Sequence, residues 1–152
     1  MRLIRAANCH SLFASGKRAE ITREKRRKML RALIVDEYRF FRETFKTRLL
    51  DHFPSMFIQE AITAKEAMEK IIRLPPHLIF MDICLPGLNG LQLTQKIKKD
   101  FPNIKIAMLT AYDLPEYRQA ASQYGADRFF VKDSLDWKEM KEFLQNIPRD
   151  NR

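Results

Sequence analysis

Five short runs of β-branched and aromatic residues alternate with longer amphipathic stretches along this chain, and that alternation limits the fold more than any other feature. The runs are RALIVD (31–36), MFIQEA (56–61), HLIFMD (77–82), IKIAMLT (104–110) and DRFFVK (127–132), each of strand length. Between them, residues 38–52 carry Phe41, Phe45, Leu49 and Phe53 at spacings of four, which is one face of a helix. Thr63-Ala64-Lys65-Glu66 reads as a capping box that opens a second helix with Ala67, Ile71 and Leu74 on one face. Leu91, Leu93, Ile97 and Phe101 mark a third helix, and Tyr117 to Tyr124, ended by Gly125, a fourth. A fifth begins near Asp133-Ser134 and carries Leu135, Met140, Phe143, Leu144 and Ile147.

Apolar strands each followed by a helix imply a parallel sheet covered on both faces, because parallel strands need crossover connections and right-handed crossovers place helices on the sheet. The predicted architecture is therefore α/β, a doubly wound (βα)5 unit with a five-stranded parallel sheet. Such sheets carry their functional groups at the carboxyl ends of the strands, where the strand order reverses. At those ends stand Asp36-Glu37, Asp82, Thr110-Ala111 and Lys132.

Three carboxylates in one crevice repel one another by about 4 kcal/mol per pair at 4 Å and an effective dielectric near 20, so they require a compensating cation. Ligation by hard oxygens suits Mg2+. A carboxylate beside Mg2+ and a lysine is also a workable nucleophile toward phosphorus. Taken singly, an acid after a strand more often caps the next helix, and a lone lysine or threonine there is ordinary surface or turn chemistry. The complementary set in order, with Asp82 followed by Pro86-Gly87 and Asn89-Gly90, argues for the crevice.

These residues resemble the receiver domains of two-component response regulators. LIVDEYRFFRETFKTRLL resembles the opening strand, acidic pair and first helix, and LIFMDICLPGLNGLQL the phosphoacceptor strand and its loop. IAMLTAY is similar to the strand that bears the hydroxyl, and YGADRFFVKDS to the segment with the small residue, aromatic and lysine. The resemblance covers residues 31–147 and implies a flavodoxin-like sheet of order 2-1-3-4-5. It also implies Asp82 as acceptor of a phosphoryl group from a histidine kinase or phosphotransfer protein. Asp36, Glu37, Asp82 and the backbone carbonyl of Cys84 become the Mg2+ ligands; Thr110 and Lys132 bind phosphoryl oxygens; Thr110 and Phe129 form the switch. By the same resemblance the face of the fourth helix, fifth strand and fifth helix meets a downstream protein, and a homodimer on phosphorylation stays open. Members of this family are signalling proteins rather than enzymes in the ordinary sense.

Three departures stand out. Glu37 replaces the commoner Asp, Asp133 replaces a proline joined by a cis bond, and Phe129 lacks a tyrosine hydroxyl. The isomer of the Lys132–Asp133 bond stays open. Cys84 and Tyr112, two residues beyond Asp82 and Thr110, are neither acids nor amides that position an attacking water, so slow loss of the phosphoryl group is expected. An aspartyl-nucleophile phosphatase or phosphotransferase is the alternative from the enzyme class, but that chemistry typically adds a second acid where Cys84 stands.

Charge separates the ends of the chain. Residues 1–31 hold 10 Lys/Arg against two Glu, a net +8, leaving 18 against 17, a net +1, for residues 32–152. The isoelectric point near 9.8 thus describes a tail, and nucleic acid is not the expected partner of the folded part. Residues 1–28 read as a basic extension, either mostly disordered or an isolated helix; alternatively translation starts at Met29 and the extension is a start-site artefact. A basic arm that binds nucleic acid is the third reading. The receiver is expected over 29–148, and 149–152 leave no room for an output domain. Cys9 and Cys84 make a poor disulfide framework, and no apolar run reaches the roughly 18 residues of a membrane span. Both fit a cytoplasmic protein.

Overall fold

The computed structural model describes residues 28–149 continuously, with residues 16, 20 and 23–25 of the segment before them. Cys9, most of the basic extension and residues 150–152 lie outside the described residues. The elements are β1 (Arg31–Val35), α1 (Arg39–His52), β2 (Phe57–Ala61), α2 (Ala64–Arg73), β3 (Leu78–Met81), α3 (Gly90–Asp100), β4 (Lys105–Thr110), α4 (Pro115–Gln123), β5 (Arg128–Val131) and α5 (Trp137–Gln145), with a short 3-10 turn at Lys132–Ser134. All strand pairs are parallel, in the order β2-β1-β3-β4-β5. This is the expected doubly wound sheet.

The period-two alternation of strand side chains sorts the core into two layers. Leu33 and Val35 of β1, Ile79 and Met81 of β3, and Ile106 and Met108 of β4 pack with Ala67, Ile71, Leu93 and Ile97 of α2 and α3. Their neighbours Ala32, Ile34, Leu78, Phe80, Ala107 and Leu109 pack with Phe45 and Leu49 of α1 and Met140 and Leu144 of α5. Both faces are covered, so each buried large side chain contributes about 1.5–3 kcal/mol on leaving water. Among the described residues no helix is long and apolar enough to cross a membrane.

Several boundaries differ from the sequence reading, each for a local reason. Asp36, Asp82 and Lys132 stand just past their strands rather than within them, yet the sheet still holds the two acids: Asp36 N–H donates to Ala61 O at 3.0 Å, and Asp82 N–H to Val35 O at 2.9 Å. α4 begins at Pro115, two residues earlier than expected, because proline is preset for the first helical position. α5 begins at Trp137, later than expected, because Asp136 is the cap and accepts from Lys138 and Glu139 N–H. The Thr63 cap accepts from Glu66 N–H at 3.1 Å as predicted, but the Glu66 carboxylate reaches back to Ile62 N–H rather than to Thr63. Asn89-Gly90 opens α3, with Asn89 Oδ1 accepting from Gln92 N–H at 2.9 Å, whereas Gly87 holds the left-handed turn at φ 81°. No peptide bond among the described residues is cis, so Lys132–Asp133 is trans.

Two histidines of the domain take part in its packing. His77 is buried at the start of β3, its Nδ1 accepting from Arg31 N–H at 2.9 Å and its Nε2 lying 2.8 Å from Arg149 O. His52 ends α1 and lies against Trp137.

Candidate functional site

β1 and β3 are neighbours although β2 intervenes in sequence, so the order reverses between them and a crevice opens at their carboxyl ends. Asp36 and Asp82 stand there, 1% and 3% exposed. Asp36 Oδ1 accepts from Tyr38 N–H at 2.8 Å. Asp82 Oδ1 accepts from Cys84 N–H at 3.3 Å, which turns the following loop back over the carboxylate.

Lys132 reaches both acids from the end of β5. Its Nζ donates to Asp82 Oδ2 at 3.3 Å and lies 2.6 Å from Asp36 Oδ2. The shorter approach is a contact of charges off the hydrogen-bonding direction, since Asp36 Oδ2 is buried without a hydrogen-bond partner. Two aromatic rings complete the ammonium's surroundings, Phe41 at 4.5 Å and Tyr38 at 5.5 Å from their centroids. Burial pushes the Asp82 carboxyl above the usual range, and the charge of Asp36 adds to this, while Lys132 and the Cys84 N–H oppose it.

The other predicted residues surround this trio without joining it. Glu37 is exposed at the rim, and its carbonyl accepts from Arg42. The Cys84 thiol is exposed and held neutral, its pKa raised by burial and then by the Asp82 charge. Thr110 is buried at the end of β4, one step beyond the level of Asp82, and its Oγ1 accepts from Tyr112 N–H at 3.3 Å. Phe129, opposite Met108 in the β4–β5 register, is half-buried with the Arg118 guanidinium 4.7 Å above its ring. The structure therefore brings Asp36, Asp82 and Lys132 together, while the Thr110 hydroxyl is bonded to Tyr112 N–H and Phe129 lies under Arg118.

Three neighbours escaped the sequence reading. Gly90 is required because a Cβ there would lie 1.9 Å from Asp82 O; its N–H donates to Ile83 O at 2.8 Å, closing α3 onto the loop after Asp82. The Asn-Gly pair signalled a special backbone, but not this close approach. Phe41 was read as core only. Arg42 binds the Asp36 and Glu37 carbonyls, and nothing in sequence separates it from Arg39 or Arg48 on the same helix.

The residues fit a divalent cation. Two buried carboxylates face one ammonium, leaving one uncompensated negative charge, and the buried Asp36 Oδ2 has no hydrogen bond. The donors are hard oxygens, which favours Mg2+ over softer metals. Among the described residues, no three His, Cys, Asp or Glu side chains are already gathered as a metal cluster, consistent with Glu37 standing at the rim.

Comparison with known proteins gives a consistent result. The sequence model of the family described as "Response regulator receiver domain" matches residues 32–145. Response regulator protein VraR of Staphylococcus saprophyticus is 34% identical over 105 residues, covering 68% of this chain and 49% of that protein. The chain thus spans about half the length of that relative. Among solved structures, response regulator protein TrrA of Thermotoga maritima in complex with Mg2+-BeF superposes with a TM-score of 0.68 at 34% identity, over 77% of this chain and 97% of that one. Chemotaxis protein CheY4 of Vibrio cholerae, 23% identical, shares the fold with a TM-score of 0.69 over 79% and 99% of the two chains.

Proposed function

The chain belongs to the response regulator receiver family of two-component signal transduction, and on that premise we propose that Asp82 is its phosphoacceptor. The observation that carries this is the buried Asp82 carboxylate at the end of β3, fixed on one oxygen by Cys84 N–H and facing Lys132 with the other. A carboxylate oxygen of Asp82 attacks phosphorus, the new P–O bond forms, and the bond to the donor breaks. With a phosphohistidine of a histidine kinase or phosphotransfer protein the P–N bond breaks and the imidazole takes up a proton; with acetyl phosphate, acetate leaves. The phosphoryl group ends on the protein's own side chain, so the chain is a signalling component and not a classical enzyme.

Asp36, Glu37, Asp82 and the Cys84 carbonyl are the groups we assign to Mg2+, which when bound supplies positive charge for the phosphoryl oxygens. TrrA, a relative at 34% identity, is solved with Mg2+-BeF, and the Asp36 oxygen left without a hydrogen bond supports the same cation here. Lys132 lowers the repulsion between Asp36 and Asp82 before transfer and pairs with a phosphoryl oxygen after it. The Thr110 hydroxyl donates to another. The neutral Cys84 thiol does not activate a water, which supports slow loss of the phosphoryl group.

Phosphorylation adds up to two negative charges and three acceptor oxygens at Asp82. Thr110 moves toward them and Phe129 follows inward, which requires its ring to leave Arg118. That rearrangement alters the α4–β5–α5 face, where a groove of about 160 Å³ between α4 and β5 is lined by Arg118, Ser122, Arg128 and Phe129. A downstream protein docks on this face in the proposed mechanism.

Incubation with Mg2+ and acetyl phosphate, followed by intact-mass measurement, tests the assignment. One phosphoryl adduct is expected, absent in Asp82→Asn and in EDTA; an adduct that survives either change contradicts the proposal.

A further inference from the structure

Asp36 has four polar groups, and three are committed. Its N–H donates to Ala61 O at 3.0 Å, its Oδ1 accepts from Tyr38 N–H at 2.8 Å, and its carbonyl accepts from Arg42 Nη1 at 2.8 Å. The fourth, Oδ2, is buried without a hydrogen bond and faces only the charge of Lys132, 2.6 Å away. The same Nη1 donates to Glu37 O at 3.1 Å. Asp36 and Glu37 lie between the end of β1 and the start of α1. The guanidinium supplies their carbonyls with a donor in that gap.

Arg42 is itself held. Its side chain is 12% exposed, and its Nε donates to Glu60 Oε1 at 3.3 Å. Glu60 accepts Lys46 on its other oxygen at 3.1 Å, and its carbonyl accepts from Lys70, which also binds Glu66 Oε1 at 2.7 Å. Glu66 in turn accepts from Ile62 N–H at 3.0 Å. A chain of charge-assisted bonds therefore runs from the β2–α2 loop to the backbone of the acid pair.

We infer that Arg42 is a positioning residue for the cation site: it fixes the Asp36–Glu37 backbone so that the Asp36 oxygen without a hydrogen bond and the Glu37 side chain are presented to a divalent cation together. The inference rests on the reading of Asp36 and Glu37 as cation ligands. A planar guanidinium suits the task because Nη1 and Nε stand apart in a rigid fork, so two carbonyls on one side and the Glu60 carboxylate on another are served in fixed directions, whereas an ammonium gathers its three donors on one atom. The sign of its effect separates positioning from simple electrostatics. A positive charge near a cation site weakens cation binding, so a purely electrostatic Arg42 would bind Mg2+ more tightly when removed. A positioning Arg42 loses affinity when removed.

Mg2+ alone is titrated into the full chain labelled with 15N, following the Tyr38 and Cys84 amides, for the wild type and for Arg42→Met, Arg42→Lys, Arg39→Met and Asp36→Asn. Arg39→Met removes an equal charge from the same helix, but the Arg39 side chain is 81% exposed and, among the described residues, pairs with Glu43 at 2.7 Å. Both Arg42 variants are expected to bind Mg2+ about tenfold more weakly, the usual scale for a partner that orients a ligand. Arg39→Met is expected to bind as tightly as the wild type or more so. Before Mg2+ is added, the Tyr38 amide is expected to exchange faster in Arg42→Met while the Phe80 amide in β3 does not, which separates a local loss of order from general destabilisation. Mg2+ binding by Arg42→Met as tight as the wild type, or equal acceleration at Tyr38 and Phe80, overturns the inference. A wild type that binds no Mg2+, or an Asp36→Asn that binds normally, overturns the ligand assignment and the inference with it; failure of Arg42→Met alone leaves the ligand assignment standing.

Discussion

The ammonium of Lys132 lies closer to Asp36, at 2.6 Å, than to Asp82, at 3.3 Å, although Asp82 is the acid proposed to react. Lys132 thus screens the two carboxylates from each other. Replacing it with methionine leaves both acids buried without a cation, and breaking a buried pair from one side costs about 3 kcal/mol. Urea unfolding in metal-free buffer at pH 7 checks this for Lys132→Met. An unchanged midpoint would show that water already screens the acids.

Asp82 is predicted to cost stability for the sake of its chemistry. Its folded pKa is raised, by burial first, so the protein is less stable above that pKa than a neutral group would make it, and the penalty disappears as pH falls through it. Asp82→Asn removes the penalty. At pH 7 without metal, the melting temperature should rise by roughly 4 °C, equivalent to about 1 kcal/mol in a domain of this size, and the difference should shrink on acidification. A variant less stable than the wild type at pH 7 contradicts the account.

Gly90 and Gly87 are predicted to differ in kind. A methyl group at Gly90 meets Asp82 O at 1.9 Å, so α3 or the acceptor loop must move, and Gly90→Ala should cost about 3 kcal/mol and impair phosphorylation. Gly87 has open space around it but a φ of 81°, so Gly87→Ala should cost only about 1 kcal/mol of backbone strain. Equal, small effects in chemical denaturation would refute the close approach.

Asp127 ties the start of β5 to α3 and β4, accepting from Lys98 Nζ at 2.7 Å and Ile106 N–H at 2.8 Å. Burial alone would raise its pKa, but the Lys98 and Ile106 bonds outweigh burial and lower it. A depressed folded pKa stabilises above the unfolded value, near 3.9, and that gain is lost as pH falls through the folded value. Asp127→Asn should therefore lose about 2 kcal/mol at pH 7, with the gap to the wild type closing below about pH 4. A gap independent of pH would exclude the charged form as its source.

The sheet was legible in the sequence because each strand is a short apolar run, as in LIFM at 78–81, and each helix has its own period. Asp36, Asp82 and Lys132 were legible because strand ends can be counted. The starts of α4 and α5 were not, since Pro115 and Asp136 lie outside the apolar stripes that reveal a helix. Arg42, Phe41 and Gly90 were missed because their roles depend on what tertiary packing brings beside them: two carbonyls, an ammonium 4.5 Å away and a backbone oxygen.

The most direct test of the central claim is to locate the modified residue itself. After reaction with acetyl phosphate and Mg2+, borohydride reduces an aspartyl phosphate to homoserine, and peptide sequencing by mass spectrometry identifies the position. The account predicts homoserine at position 82 and at no other aspartate. Homoserine at Asp36 or elsewhere, or none at all in a protein that carries the phosphoryl adduct, would contradict it.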